Sequence, residues 1–106
     1  MENYFNSVYQ VLKAIEYSSY TEENIYYILD LEKLQLTENE LKVIIRNILQ
    51  DGFVINRPAF AGKKVASDRL LNPQLTTKGY EYLQDNTKMK QAYKVLKEIK
   101  GWIPGL

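Results

Sequence analysis

The stretch at 36–53, Leu-Thr-Glu-Asn-Glu-Leu-Lys-Val-Ile-Ile-Arg-Asn-Ile-Leu-Gln-Asp-Gly-Phe, constrains the fold most, because it reads as one helix with both ends marked. Thr37 stands as N-cap, and Glu40 three residues on completes a capping box. Leu36 and Leu41 occupy the two positions of a hydrophobic staple. At the far end Gly52 can take the left-handed conformation that closes a helix, and Phe53 can then touch Ile48, as a Schellman stop requires. The predicted helix spans 38–51. At about 100° per residue, Leu41, Ile44, Ile45 and Ile48 share one face, with Leu49 at its edge. The opposite face carries Asn39, Lys42, Val43, Arg46 and Gln50, with Asn47 at the margin. A polar outer face is what any surface helix shows. The same residue types also suit a nucleic acid, with Arg and Lys matching phosphate or guanine and Asn and Gln matching adenine.

The chain before this stretch predicts two further helices. Over 2–17, Tyr4, Phe5, Val8, Val11, Leu12 and Ile15 recur at helical spacing, and the polar run at 16–20 ends the pattern. Thr21 then reads as the cap of a second helix over 22–33, with Tyr20 and Ile25 as its staple and Glu22 and Glu23 in the first turn, where the macrodipole favours anions. These two carboxylates are adjacent in sequence and do not face each other on a helix, so dipole complementarity explains them better than acid–base catalysis. A helix, a short turn and a second, better-capped helix form the helix-turn-helix pattern.

After Gly52 the period changes. Phe53 to Arg57 is aromatic and β-branched, as a strand requires, and Pro58 stops it or sets it at a sheet edge. Gly62, Lys63 and Lys64 read as a loop tip, residues 65–71 as the returning strand, and Asn72-Pro73 as a turn. A basic hairpin over 53–71 directly after a helix-turn-helix is the winged-helix plan, in which Arg57, Lys63, Lys64 and Arg69 would be the wing cations. A charged loop in solvent gives the same pattern. Thr76 caps a helix over 77–85, with Leu75 and Tyr80 as its staple. Gly79 in its first turn weakens it by up to about 1 kcal/mol against alanine, which suggests close packing there. A last helix over 88–103 has a broad apolar face that includes Tyr93, Leu96, Ile99, Trp102 and Ile103. Packing on the first helix and a homodimer interface both suit that face.

Charge and composition narrow the function classes. The net charge of +1 hides a gradient: residues 1–40 hold two basic and eight acidic side chains, a net of −6, whereas 41–106 hold twelve and five, a net of +7. Such asymmetry points to a polyanionic partner for the basic half, though two opposite halves also attract within a fold. The chain holds neither cysteine nor histidine. Disulfides, thiolate nucleophiles, thiolate zinc sites and imidazole chemistry are therefore excluded. With no phosphate-cradling glycine loop and no metal-ligand cluster, the expectation is a protein that is not an enzyme and needs no cofactor or metal. No apolar run approaches the roughly 20 residues of a membrane span, and the first residues lack the pattern of a signal peptide. A single cytoplasmic domain over 1–106 is expected.

Several of these motifs resemble the YjcQ-like family: Leu-Thr-x-x-Glu at 36–40, Asp-Gly-Phe-Val-Ile at 51–55, and Leu-Thr-x-Lys-Gly-x-x-Tyr-Leu at 75–83. The likeness is strongest at 88–103, through Ala92-Tyr93-Lys94 and Lys97-Glu98-Ile99-Lys100-Gly101-Trp102-Ile103. The segment 57–71 departs from the family pattern. The resemblance implies small bacterial and prophage proteins with a winged-helix fold, and it implies no activity. The expected fold is α+β and mostly α, a winged helix-turn-helix with an extra C-terminal helix. The expected function is double-stranded DNA binding by a small transcriptional regulator. Asn39, Lys42, Val43, Arg46 and Asn47 would face the major groove, and Arg57, Lys63, Lys64 and Arg69 would hold the backbone. The alternative is a protein-interaction module whose contact surface is the acidic amino-terminal half with Tyr9, Tyr17 and Tyr27.

Overall fold

Helix α1, Tyr4–Thr21, is the element around which the others pack. Its nine consecutive residues from Ser7 to Ile15 are all buried, so it is enclosed on every side rather than along one stripe. Even Lys13 is buried there, with Nζ donating to Glu16 Oε1 at 2.6 Å one turn on. The structure is a computed structural model that describes residues 4–57 and 68–86. The last helix expected over 88–103, with Tyr93, Leu96, Ile99, Trp102 and Ile103, lies outside the described residues, as does the hairpin tip with Lys63 and Lys64.

α1 runs past the expected end at 17 because its polar residues bond back along the helix. Ser19 Oγ donates to the Ile15 carbonyl and Thr21 Oγ1 to the Tyr17 carbonyl, each at 2.9 Å. Hydroxyls that bond to the preceding turn are compatible with continued helix. Thr21 is therefore the last residue of α1 and not an N-cap, and Tyr20 is largely exposed, so the expected staple does not form. Glu22 follows in the left-handed region, at φ 61°, with its N–H on the Ser18 carbonyl at 2.9 Å. Glu22 and Glu23 thus precede the next helix instead of opening it.

The second helix expected over 22–33 is two single turns. These are α2, Ile25–Ile28, capped by Asn24, and α3, Leu31–Leu34, capped by Asp30. Leu29 between them is extended, and the Asp30 carboxylate accepts from the backbone N–H groups of Glu32 and Lys33 at 3.1 and 3.3 Å. An aspartate that caps a new turn outcompetes continuation of the old one. Gln35, left-handed at φ 57°, closes α3. Helix α4, Glu38–Gln50, then follows as predicted.

The described residues close with a two-stranded antiparallel sheet, β1 Val54–Asn56 and β2 Pro73–Leu75, and with helix α5, Thr77–Asp85. The register pairs Val54 with Leu75, Ile55 with Gln74 and Asn56 with Pro73. The strand that pairs with β1 is therefore 73–75, and the described part of the expected return, 68–71, is not strand. Pro73 is tolerated in it for a geometric reason. Bonded pairs alternate along an antiparallel ladder. The Arg57 N–H donates to the Asn72 carbonyl, and the Thr76 N–H to the Phe53 carbonyl. This phase puts the missing N–H of Pro73 on the side away from β1. Its carbonyl, on that same outer side, faces Ser19 Oγ of α1 at 3.4 Å. One core joins these elements, built from Val11, Leu12, Ile15, Ile44, Ile45, Ile48 and Val54 with Ile28, Leu70 and Leu83. The observed class is α+β and mostly helical.

Candidate nucleic-acid interface

Both predicted ends of α4 are present. Thr37 Oγ1 accepts from the Glu40 N–H at 3.1 Å, and Glu40 Oε1 accepts from the Thr37 N–H at 2.9 Å, which is the reciprocal capping box. At the C-terminus Gly52 has φ +81°. The Phe53 N–H bonds the Ile48 carbonyl at 3.0 Å and the Gly52 N–H bonds the Leu49 carbonyl at 3.3 Å. This is the Schellman pair of bonds. Leu41, Ile44, Ile45 and Ile48 are buried, and that fixes the rotation of the helix. Asn39, Lys42, Val43, Arg46 and Gln50 consequently point to solvent. Among the described residues, the side chains of Lys42 and Arg46 take part in no ion pair or hydrogen bond. Val43 is 39 % exposed. Asn47 differs from the others: it is half-buried, and its Nδ2 donates to the Tyr4 hydroxyl at 2.9 Å, which ties α4 to α1. Asn39, Lys42, Val43 and Arg46 therefore form the free part of the expected face, and Asn47 spends a donor inside the fold.

The end of α4 is locked to the start of α5. Thr76 caps α5 by accepting from the Gly79 N–H at 3.1 Å, and its hydroxyl also donates to the Gly52 carbonyl. Lys78 Nζ donates to the Asp51 carbonyl at 2.8 Å and lies 5.3 Å from the centroid of the Phe53 ring. A cation there also complements the negative end of α4. A methyl group on Gly79 would overlap the Phe53 carbonyl oxygen, which accounts for a glycine in a first helical turn. Two of the quoted motifs, Asp-Gly-Phe and Leu-Thr-x-Lys-Gly, are thus the two halves of one joint.

The remaining expected cations lie elsewhere. Arg57 and Arg69 are brought together as lining of a cleft of about 530 Å³ to which α4 contributes no residue. Its other side is the end of α1 and the start of α2, from Ser18 to Tyr26. Asn56 holds the hairpin side, with Nδ2 donating to the Arg69 carbonyl and Oδ1 accepting from the Leu71 N–H, both at 2.8 Å. The Tyr26 hydroxyl accepts from the Leu70 N–H at 3.0 Å, and the Arg69 guanidinium sits 5.9 Å from the Tyr26 ring centroid. Nothing in the sequence pattern announced this cleft, because its walls are more than thirty residues apart along the chain. Among the described residues no group of three or more carboxylates is placed to hold a metal, and no helix is long and apolar enough to cross a membrane.

A family model described as YjcQ protein matches residues 9–102. The chain belongs to this family. The match carries the likeness read at 36–103 back into α1. A YjcQ-family relative, the uncharacterized protein YjcQ of Bacillus subtilis (strain 168), is 35% identical over 72 residues, which are 64% of this chain and 70% of the relative. No solved structure matches the chain.

Proposed function

We propose that this chain is a winged-helix protein that binds double-stranded DNA, a small regulator of bacterial or prophage genes. The observation that carries this reading is the outward face of α4, where Asn39, Lys42, Val43 and Arg46 are held in phase by caps at both ends and stand unpaired in solvent. Side chains of these types at i, i+3, i+4 and i+7 on a rigid helix can address base edges in a major groove. The sheet β1–β2 follows α4 directly along the chain, which supports reading it as a wing. Lys63 and Lys64 would extend the wing along the phosphates, with Arg57 and Arg69 at its neck. Phosphate contacts of this kind supply affinity and salt dependence, and the base contacts supply sequence choice.

Selection of bound sequences from a random duplex library, with Arg46→Ala in parallel, tests the reading. Loss of about 1–3 kcal/mol and a relaxed preference at one base position are expected if Arg46 reads a base. Unchanged affinity and preference would remove α4 from the interface.

A second reading, a protein-interaction module on the same fold, draws on the exposed aromatics Phe5, Tyr20 and Tyr27, the last 72 % exposed. Tyr9 drops out of that surface, since it is 1 % exposed and part of the core, and Tyr17 is half-buried. An apolar interface of this kind would bind its partner with little salt dependence.

A further inference from the structure

The cleft beside α1 carries opposite charges on opposite walls. Glu22 and Glu23 belong to the helical wall, and Arg57 and Arg69 to the hairpin wall. The walls are joined at two places only a few residues from these charges: Leu70 to the Tyr26 hydroxyl at 3.0 Å, and Ser19 Oγ to the Pro73 carbonyl at 3.4 Å. Yet no carboxylate oxygen of Glu22 or Glu23 comes within 4.0 Å of either guanidinium. These side-chain-to-backbone joints hold the two walls together while the charges across the cleft stay unpaired.

Contacts within each wall order it. Burial first, then the nearby Glu23 carboxylate, push the Tyr17 pKa up. Across the cleft, the Tyr26 ring steadies the Arg69 guanidinium from one side and leaves its N–H groups free, and Asn56 fixes the backbone that carries it. At about 530 Å³ the space is within the range of small-molecule sites.

We infer that this cleft binds a small zwitterion of amino-acid or short-peptide type, with its carboxylate on Arg57 and Arg69 and its ammonium at Glu22 and Glu23. A ligand with both charges bridges the walls as neither wall does to the other. A simple anion would meet the carboxylates as well as the arginines and gain little. The inference goes beyond the DNA reading and does not need it.

The test is an NMR titration of the ¹⁵N-labelled full chain, without DNA, with L-alanyl-L-alanine, its N-acetyl form and its C-terminal amide. The free dipeptide should shift the amides of Asn24, Tyr26, Leu70 and Leu71 saturably. Each singly charged analogue should bind about tenfold more weakly or worse, as loss of a charge-assisted hydrogen bond implies. Arg69→Gln and Glu22→Gln, both at exposed positions, should each weaken the free dipeptide by a similar factor while leaving the rest of the spectrum in place. Absence of a saturable shift, equal binding of a capped analogue, or full affinity in both variants would overturn the inference.

Discussion

The joint between α4 and α5 and the cleft beside α1 solve the same problem, holding two distant segments together, in different ways. At the joint, the two backbones themselves touch, with the Thr76 N–H on the Phe53 carbonyl, and side chains add to that contact. Gly79 lets α5 approach the Phe53 carbonyl, Thr76 bonds the Gly52 carbonyl, and Lys78 the Asp51 carbonyl, with no room left between. At the cleft, side chains do the joining. Asn56 and Tyr26 reach across to the backbone at 69–71 and leave space and unpaired charge between the walls. A joint without space can position a neighbouring surface, and here it fixes the end of α4. A joint that leaves space can admit a ligand.

The largest effect is expected at the joint. Gly79→Ala places a methyl on the Phe53 carbonyl oxygen and should cost about 1–3 kcal/mol, the usual range for overpacking. Alanine is the better helix former by about 1 kcal/mol, so a rise in the urea midpoint would show that the close approach is not limiting. At the cleft, Asn56→Ala removes two hydrogen bonds and should cost about 1–2 kcal/mol. Amide shifts confined to 69–72 would keep the two regions distinct; shifts spreading to Gly52 and Phe53 would merge them.

A smaller effect concerns the contact that links the two regions, the Tyr20 and Tyr80 hydroxyls at 3.2 Å. Burial first, then the Tyr20 hydroxyl, push the Tyr80 pKa from 10.0 up to about 12. The unfolded chain releases this proton near pH 10 and the folded chain holds it to about 12. The stability is therefore fully present below pH 10 and falls as the pH rises towards 12. Burial raises Tyr82 too and adds to the same slope. Melting temperature against pH should decline over this window and less steeply in Tyr80→Phe; equal slopes would mean that folding does not raise the Tyr80 pKa.

What was legible in the sequence follows the same division. The joint could be read almost residue by residue, because caps and left-handed glycines are local: Thr37 with Glu40, Gly52 with Phe53, and Thr76 with Gly79 each act within a few positions. The helical rotation of α4, and so its exposed face, followed from its apolar phase. The region around the cleft was misread at three points for three reasons. Ser19 and Thr21 extend α1 because their hydroxyls bond back to the preceding turn, where polar residues otherwise suggest an end. Glu22 adopts a left-handed backbone that only glycine or asparagine would have signalled. Pro73 enters a strand because the register turns its missing N–H away from β1, and register is a property of the pair, not of either segment. The Asp30 cap was present in the sequence, but a helical hydrophobic pattern running across it concealed the break.

The central claim, that the α4 face meets DNA, is tested most directly by fluorescence anisotropy of a labelled random-sequence duplex with the intact chain and with Arg46→Ala over increasing salt. The account predicts binding at low salt whose logarithm falls linearly with the logarithm of salt concentration, and a weaker complex with a shallower slope for Arg46→Ala. No binding at low salt, or binding indifferent to salt and to Arg46, would contradict it.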